Sequence, residues 1–184
     1  MESDLPEGGA DKTLNRLVAI TVVILSVFMG VSKVKDDNLV QAMQQAKADS
    51  VDRWSEYQAV KTKLHIAETA RLEIALTASG AKSKTALQGL DAEIDKYKVE
   101  APKVQEEARG KEALYDALNV HDDQFDMSDA LISIAVSVAA VAALIEMRWL
   151  LYGAWISGAF GVLMGLAGFL GWSLHPDVLV RLLS

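Results

Sequence analysis

The sequence contains no cysteine, and this absence excludes disulfide bonds, thiolate nucleophiles and cysteine-ligated zinc sites. It also has no basic stripe, because the middle of the chain, residues 33–129, carries 14 Lys and Arg side chains against 19 Asp and Glu. A protein that neutralises phosphates needs such a stripe, so nucleic acid is excluded as a partner. The chain also has no Gly-rich phosphate loop, no H-E-x-x-H motif and no nucleophile elbow. We therefore predict that the protein is not an enzyme and binds no cofactor.

Proline and glycine are scarce in the charged middle of the chain. Neither occurs between Lys35 and Gly80, and about 40 helix-favouring residues without a breaker predict one long helix. The turn-forming stretch SGAKSKT follows, and a second helical stretch of similar length comes after it. Pro102 interrupts that second stretch, so we expect a kink or a short break near Val99 to Pro102. The middle region thus predicts a long antiparallel, coiled-coil-like helical hairpin, about 60 Å long, with its tip near Gly80.

The apolar residues are concentrated at the two ends of the chain. Uncharged runs at Leu17–Ser32, Ala130–Ile145 and Trp149–Leu174 approach or exceed the length needed to cross a bilayer. A cleaved signal peptide is the alternative for the first run, but the acidic start and the lack of an A-x-A site favour an uncleaved helix. The fold class is therefore an all-α membrane protein with three transmembrane helices. The predicted segments are an acidic N-terminal tail at 1–13, transmembrane helix 1 at 14–33, an extramembrane helical hairpin at 34–128, transmembrane helix 2 at 129–146, transmembrane helix 3 at 149–174 and a C-terminal tail at 175–184.

Apolar residues at coiled-coil spacing predict a packing seam on the second arm of the hairpin. These residues are Leu87, Leu90, Ile94, Tyr97, Ala101, Val104 and Ala108. The seam of the first arm is less clean. Its apolar residues are Val40, Met43, Trp54, Tyr57 and Leu64, and they are interrupted by Lys47, Ser50 and Lys61. A seam with so many polar residues does not form a water-excluding two-stranded coiled coil. Further partners that pack on the first arm are therefore plausible.

Two further groups of residues are candidates for contacts. Trp54, Tyr57, Gln58 and Lys61 share one helical face and form either a recognition patch or part of the ordinary packing of the hairpin. Small residues recur at helix-packing spacing in the spans, at Ser157, Gly161 and Gly165 and at Ala135, Ala139 and Ala143. Such spacing allows close approach of helices in lipid. It supports packing within the chain and packing between chains equally.

An acidic cluster precedes the second span. It consists of His121, Asp122, Asp123, Asp126 and Asp129. Carboxylates beside a histidine can bind a divalent cation. Solvated acidic side chains near the start of a span are the simpler interpretation, because they also complement a helix dipole. We therefore predict no metal site.

The segment DRWSEYQAVKTK, the segment HDDQFDMSDALISIAVSVAAVAAL and the turn that ends in Arg148-Trp149 before a Gly- and Leu-rich last span together resemble a bacterial membrane family. This family is catalogued as domain of unknown function 4337. The resemblance extends from about Leu14 to Trp172, and its most specific part is the W-x-x-Y-Q-A-x-K pattern that begins at Trp54. It implies the same three-span architecture and carries no activity.

These features predict a membrane-anchored structural or interaction protein that associates with itself through its helical hairpin and its spans. Membrane lipid, further copies of the chain and a larger membrane complex are the expected partners. The alternative function is a channel or transporter subunit, or an accessory subunit of a larger complex, because Thr21, Ser26, Ser133 and Ser137 lie within the spans. The basic residues flanking the spans are nearly balanced between the two sides. The acidic residues beside the hairpin favour a periplasmic arm on a bacterial inner, or cytoplasmic, membrane.

Overall fold

The computed structural model of the chain describes residues 12–172. Within that range the elements are three α-helices: α1, Lys12–Thr77; α2, Ala81–Leu144; and α3, Arg148–Leu170. The predicted tails at 175–184 and, except for its last two residues, at 1–13 lie outside the described residues. Each of the three helices contains a stretch long and apolar enough to cross a membrane. For residues 12–172, the prediction of an all-helical fold with three candidate spans is therefore confirmed.

Two helix boundaries in the span region differ from the prediction. Helix α2 ends at Leu144 rather than continuing to Glu146, because Glu146 adopts a positive φ of 55° in the turn that leads to α3. Helix α3 ends at Leu170, where Gly171 takes the left-handed conformation with φ 67°. A glycine tolerates this conformation without a steric penalty from Cβ, and it stops the helix before the predicted end at residue 174.

Helix α2 continues through Pro102. Of the two outcomes expected near Val99 to Pro102, the short break is absent, and the kink stays a prediction. Proline removes one hydrogen bond and clashes with the preceding turn, which costs about 3 kcal/mol in a helix interior. The exposed Pro102 is flanked by Ala101 and Val104, which are 6% and 5% exposed. Burial of these neighbours stabilises helical backbone on both sides of the proline, which offsets its local cost.

The described residues form two compact units. The first, which we call the span unit, contains residues up to Gln41 and from Leu118 onward, and so holds all of α3 and the apolar ends of α1 and α2. The second, which we call the arm, is Ala42–Ala117 and contains the charged parts of α1 and α2. The Gly80 backbone, with φ 118°, lies in the turn between these two helices.

Within the arm, α1 and α2 run antiparallel. Polar contacts join residues early in the α1 part of the arm to residues late in the α2 part: α1 residues 49–54 pair with α2 residues 107–112, and α1 residues 68–71 pair with α2 residues 91–98. The pairs are Asp49–Lys111, Arg53–Glu107, Trp54–Glu112, Glu68–Lys98 and Arg71–Asp91. Such a reversal of order is the signature of two antiparallel helices.

Candidate interaction surfaces

The predicted seam on α2 lies in the interior of the arm. Ile94 and Val104 are each 5% exposed. Leu90 and Tyr97 are half-buried and pack against a cluster formed by Ile94 and two α1 residues, Leu64 and Ala67. The other predicted seam residues are Leu87, which is half-buried, and Ala101 and Ala108, which are buried. This stripe of α2 therefore contacts α1 of the same chain.

On α1 the inner stripe contains more small residues than the sequence analysis assigned. Its buried members are Met43, Ala46, Ser50, Val60, Leu64 and Ala67. Ser50, which the sequence analysis treated as an interruption, is only 2% exposed. Alanine and serine carry a weak hydrophobic signal, although they allow two helices to approach closely. The three-and-four spacing around Met43 and Leu64 was the signal that could have located them.

Trp54 and Tyr57 lie half-buried at the edge of this inner stripe. Their rings form an edge-to-face pair with centroids 5.6 Å apart. The Trp54 indole N–H donates to Glu112 Oε1 of α2 over 2.9 Å. Of the other two residues on the predicted recognition face, Gln58 is exposed and Lys61 is half-buried. Packing within the arm thus accounts for Trp54, the largest side chain of the patch.

Charged pairs connect the two helices of the arm at its surface. Lys111 Nζ donates to Asp49 Oδ2 over 2.7 Å, and this hydrogen bond, followed by one from Gln45, holds the pKa of Asp49 below its ordinary value. The guanidinium of Arg71 pairs with Asp91, which raises the pKa of Arg71. Exposed pairs of this kind contribute little to stability individually, typically about 0.2–1 kcal/mol. They fix which residues face each other across the arm.

A second stripe of α1 lies on the side of the helix opposite the inner stripe. It recurs at alternating four and three residues, and its members are Ser55, Ala59, Thr62, Ile66, Thr69, Glu73 and Leu76, all of them exposed. We call it the outer stripe. Ile66 and Leu76 are 63% and 77% exposed. Three of its members follow the inner-stripe residues Val60, Leu64 and Ala67 by two positions, which is about 200° around an α-helix.

The hydroxyl groups of the outer stripe are satisfied by their own helix. Ser55, Thr62 and Thr69 donate to backbone carbonyls four residues earlier, at 2.8–2.9 Å. A helix that packs on this stripe would not have to supply polar partners for these hydroxyls. Thr62, Ile66, Thr69 and Glu73 of the stripe, together with His65 and Ala70, line a shallow depression on the surface of the arm. The stripe is therefore a low-relief face of apolar and hydroxyl side chains, and Glu73 is its one charged member.

In the span unit, the small residues of α3 face the other two helices of the same chain. A Cβ on Gly161 would lie 2.7 Å from Ile132 Cγ1, and a Cβ on Gly165 would lie 2.7 Å from the Phe28 ring. Ser157 Oγ donates to the Leu131 carbonyl over 2.8 Å. The sequence left packing within and between chains open for Ser157, Gly161 and Gly165. The contacts of the structure lie within the chain.

The small-residue stripe predicted from the sequence begins at Ser157 and lacks two glycines that are buried on the same face. Gly158 and Gly168 are buried on the same face as Gly161 and Gly165, and a Cβ on Gly168 would lie 2.9 Å from the Phe125 ring. The spacing of these four glycines, three then four then three residues, was the signal that could have found them. Of the alanines predicted to pack on α2, Ala135 and Ala139 are fully buried.

The acidic cluster before the second span makes mainly local contacts. His121 Nδ1 lies 3.1 Å from Gln124 Oε1, and the Gln124 amide donates to the Trp172 carbonyl over 2.7 Å. Burial, together with the negative charges of Asp126 and Asp36, raises the pKa of Asp122 to about 6. Among residues 12–172, no group of three or more His, Asp or Glu side chains is arranged to hold a metal ion.

A family described as a domain of unknown function (DUF4337) matches residues 14–171 of this chain. The match covers all three helices except the first two residues of α1. No curated protein and no solved structure shows significant similarity to the chain.

Proposed function

The chain belongs to the family of domain of unknown function (DUF4337), and we propose that it is a membrane-anchored interaction protein that associates with itself through its arm. The observation that carries this proposal is the outer stripe, where Ile66 and Leu76 are exposed among small and hydroxyl side chains in an otherwise charged segment. Apolar side chains exposed on the span unit, such as Val23 and Phe160, have lipid as their natural environment. Contact with lipid does not explain the exposed apolar residues of the outer stripe, because the stripe lies in the charged arm.

The span unit is a poorer candidate for the main contact between copies. Its small-residue face, which would let helices from two chains approach, is filled by Ile132, Phe28 and Phe125 of the same chain. Close packing between spans of different copies would need another small face. The arm therefore carries the association that the sequence predicted for both parts.

The outer stripe suits a second copy of itself. Its three-and-four spacing matches the seam of a coiled coil, and its alanine and hydroxyl side chains are small enough to let two copies approach closely. Copies anchored in one membrane share an orientation, so their stripes lie parallel. A symmetric contact of this kind places each residue close to its own counterpart in the partner.

Disulfide cross-linking tests this arrangement directly, because the native chain has no cysteine. We expect Ile66→Cys to form a cross-linked dimer in membranes under mild oxidation, since like residues meet across a parallel symmetric contact and a disulfide needs Cβ atoms about 3.5–4.5 Å apart. Val99→Cys is the matched control. Val99 is an exposed apolar residue of the arm, at 75% against 63% for Ile66, and it lies on α2 rather than on the stripe.

Equal cross-linking of the two variants would indicate random collision and would contradict the proposal. Absence of cross-linking at Ile66 and also at Thr62 and Thr69 would exclude a parallel contact through the outer stripe. A cross-link that forms only in the presence of another protein would replace self-association by association with that protein.

We also propose that the arm faces the periplasmic side of a bacterial cytoplasmic membrane. The support is the excess of acidic side chains where the arm meets the spans, including Asp36, Asp37 and Asp122, combined with a near balance of the basic residues that normally set orientation. A single cysteine at the exposed Lys82, beside the Gly80 turn, tests this orientation. It should react with a membrane-impermeant maleimide in cells whose inner membrane is intact. Reaction only after that membrane is permeabilised would place the arm in the cytoplasm.

A further inference from the structure

A small polar pocket lies inside the span unit, where α1 and α2 pass from apolar to charged sequence. Its polar lining comes from Ser32, Lys33 and Asp36 of α1 and from Ser128 and Asp129 of α2. Ser32 and Asp36 are four residues apart and therefore lie on one face of α1. The free space is about 10 Å³, which is close to the room that one water-sized particle requires.

Three oxygen atoms at this pocket are buried and have no hydrogen-bond partner. They are Ser32 Oγ, Asp36 Oδ1 and Ser128 Oγ, on residues that are 5%, 4% and 0% exposed. A buried polar atom without a partner loses its hydrogen bonds to water and destabilises the folded state. Three such atoms lining one small space indicate that the space is occupied in the folded protein.

The charge around the pocket favours a cation as the occupant. The other oxygen of Asp36 accepts a hydrogen bond from Lys33 Nζ at 2.7 Å, and Lys33 also lies 3.8 Å from Asp37. The carboxylates near the pocket outnumber this single ammonium group. Asp129 lines the pocket, and the negative charge of Asp36 acts on both Asp122 and Asp126. Asp36 and Asp129 against Lys33 give the lining a formal charge of −1, which a neutral water molecule would not offset and one monovalent cation would.

The ligand set and the size of the pocket define the class of cation. Carboxylate and hydroxyl oxygens suit hard ions. Calcium takes six to eight oxygen ligands and is usually held by several carboxylates, whereas only Asp36 and Asp129 line this pocket. We propose that Ser32, Asp36, Ser128 and Asp129 bind one small monovalent cation of the size of Na⁺ between α1 and α2. This site is independent of the outer stripe, so it does not rest on self-association of the arm.

Sodium binding can be measured on the full-length protein in detergent. We expect a higher unfolding midpoint in NaCl than in choline chloride of the same concentration, because an ion that binds only the folded state stabilises it. At a salt concentration ten times the dissociation constant, the folding equilibrium constant should rise about tenfold. Broadening of the ²³Na resonance by the protein, reversed by excess Li⁺ but not by choline, gives a second readout that needs no unfolding.

The variant Ser128→Ala separates the site from non-specific salt effects. Removing a hydroxyl that has no protein partner should leave stability in choline chloride unchanged or slightly higher, while the sodium-dependent shift should disappear. Ser137→Ala is the matched control on the same helix, since Ser137 Oγ is exposed and bonded to the Ser133 carbonyl of its own helix. This variant should keep the full sodium effect.

Two results would overturn the proposal. The first is a wild-type protein with the same midpoint in NaCl and choline chloride and no ²³Na broadening, which would mean that the pocket holds water. The second is a sodium effect that survives in both Ser128→Ala and Ser32→Ala, which would place the ion elsewhere on the molecule. Asp36→Asn is not needed for either conclusion, so a folding defect in that variant would leave the test intact.

Discussion

The glycine face of α3 offers a quantitative test of packing within the span unit. In Gly161→Ala, the added Cβ would lie 2.7 Å from Ile132 Cγ1 and 3.1 Å from the Ile132 backbone nitrogen. The first atom belongs to a side chain that can shift, but the second is helix backbone and cannot move alone. Overpacking of this kind typically costs about 1–3 kcal/mol.

Gly153→Ala provides the reference on the same helix, because a Cβ on Gly153 would have no neighbour within 4 Å. Both substitutions gain the same helix propensity, about 1 kcal/mol at a helix interior, so this gain cancels when they are compared. The difference in free energy of unfolding between the two variants should therefore equal the overpacking cost, about 1–3 kcal/mol, with Gly161→Ala the less stable.

The assay is reversible unfolding in mixed micelles of increasing SDS content, followed by circular dichroism at several protein concentrations. A contact within the chain predicts a difference that is independent of protein concentration. If the two variants unfold within about 0.5 kcal/mol of each other, the close approach of α3 to α2 is refuted. If the difference appears only at high protein concentration, the glycine face packs between chains.

Three further predictions concern charge and burial. Ile94→Asp should lower the unfolding midpoint of the full chain far more than the surface change Glu93→Ala, because Ile94 is 5% exposed and a buried unpaired carboxylate is costly. Similar midpoints of the two variants in thermal melts would show that this seam is solvated. The raised pKa of Asp122, about 6, means that the folded chain binds the Asp122 proton more tightly than the unfolded chain does. Ionisation of Asp122 should therefore lower the stability of the protein as pH rises from about 4 to 7. Asp122→Asn should flatten that part of the profile of stability against pH, and an unchanged profile would contradict the raised pKa of Asp122. The shift of Asp49 runs the other way, because its pKa is lowered in the folded chain. Its contribution to stability should therefore be lost as pH falls through the folded pKa, and Lys111→Met should reduce this loss in a comparison of thermal melts at neutral and acidic pH.

The sequence predicted the helices well because their signals are local. Three apolar runs and a charged region poor in Pro and Gly require only composition and spacing, and the seam through Ile94 and Val104 repeats every three or four residues. The sequence left a kink or a break open at Pro102, and α2 continues through it, because the burial that stabilises the helix around Pro102 comes from packing with residues distant in sequence. Ser50 was misjudged for the same reason, since only a neighbouring helix determines whether a small polar residue is buried.

The candidate sites were harder to predict, because they depend on which faces remain free after packing. The outer stripe around Ile66 carries the same spacing as an interior stripe, and the sequence alone does not rank the two. The pocket formed by Ser32, Asp36 and Ser128 joins residues about 90 positions apart, and none of its parts forms a recognisable motif. The aromatic patch at Trp54 gave the stronger sequence signal, yet its indole is engaged with Glu112 within the arm.

The central claim, self-association through the outer stripe, is tested most directly by the native mass of the protein in lipid nanodiscs. The account predicts that the wild-type chain of 19.9 kDa occurs as a defined multiple of that mass over a wide range of protein-to-disc ratios. It predicts that Ile66→Asp shifts this population to single chains, whereas Val99→Asp on the other helix of the arm leaves it unchanged. A wild-type protein that remains a single chain at every ratio, or an Ile66→Asp variant that assembles as the wild type does, would contradict the account.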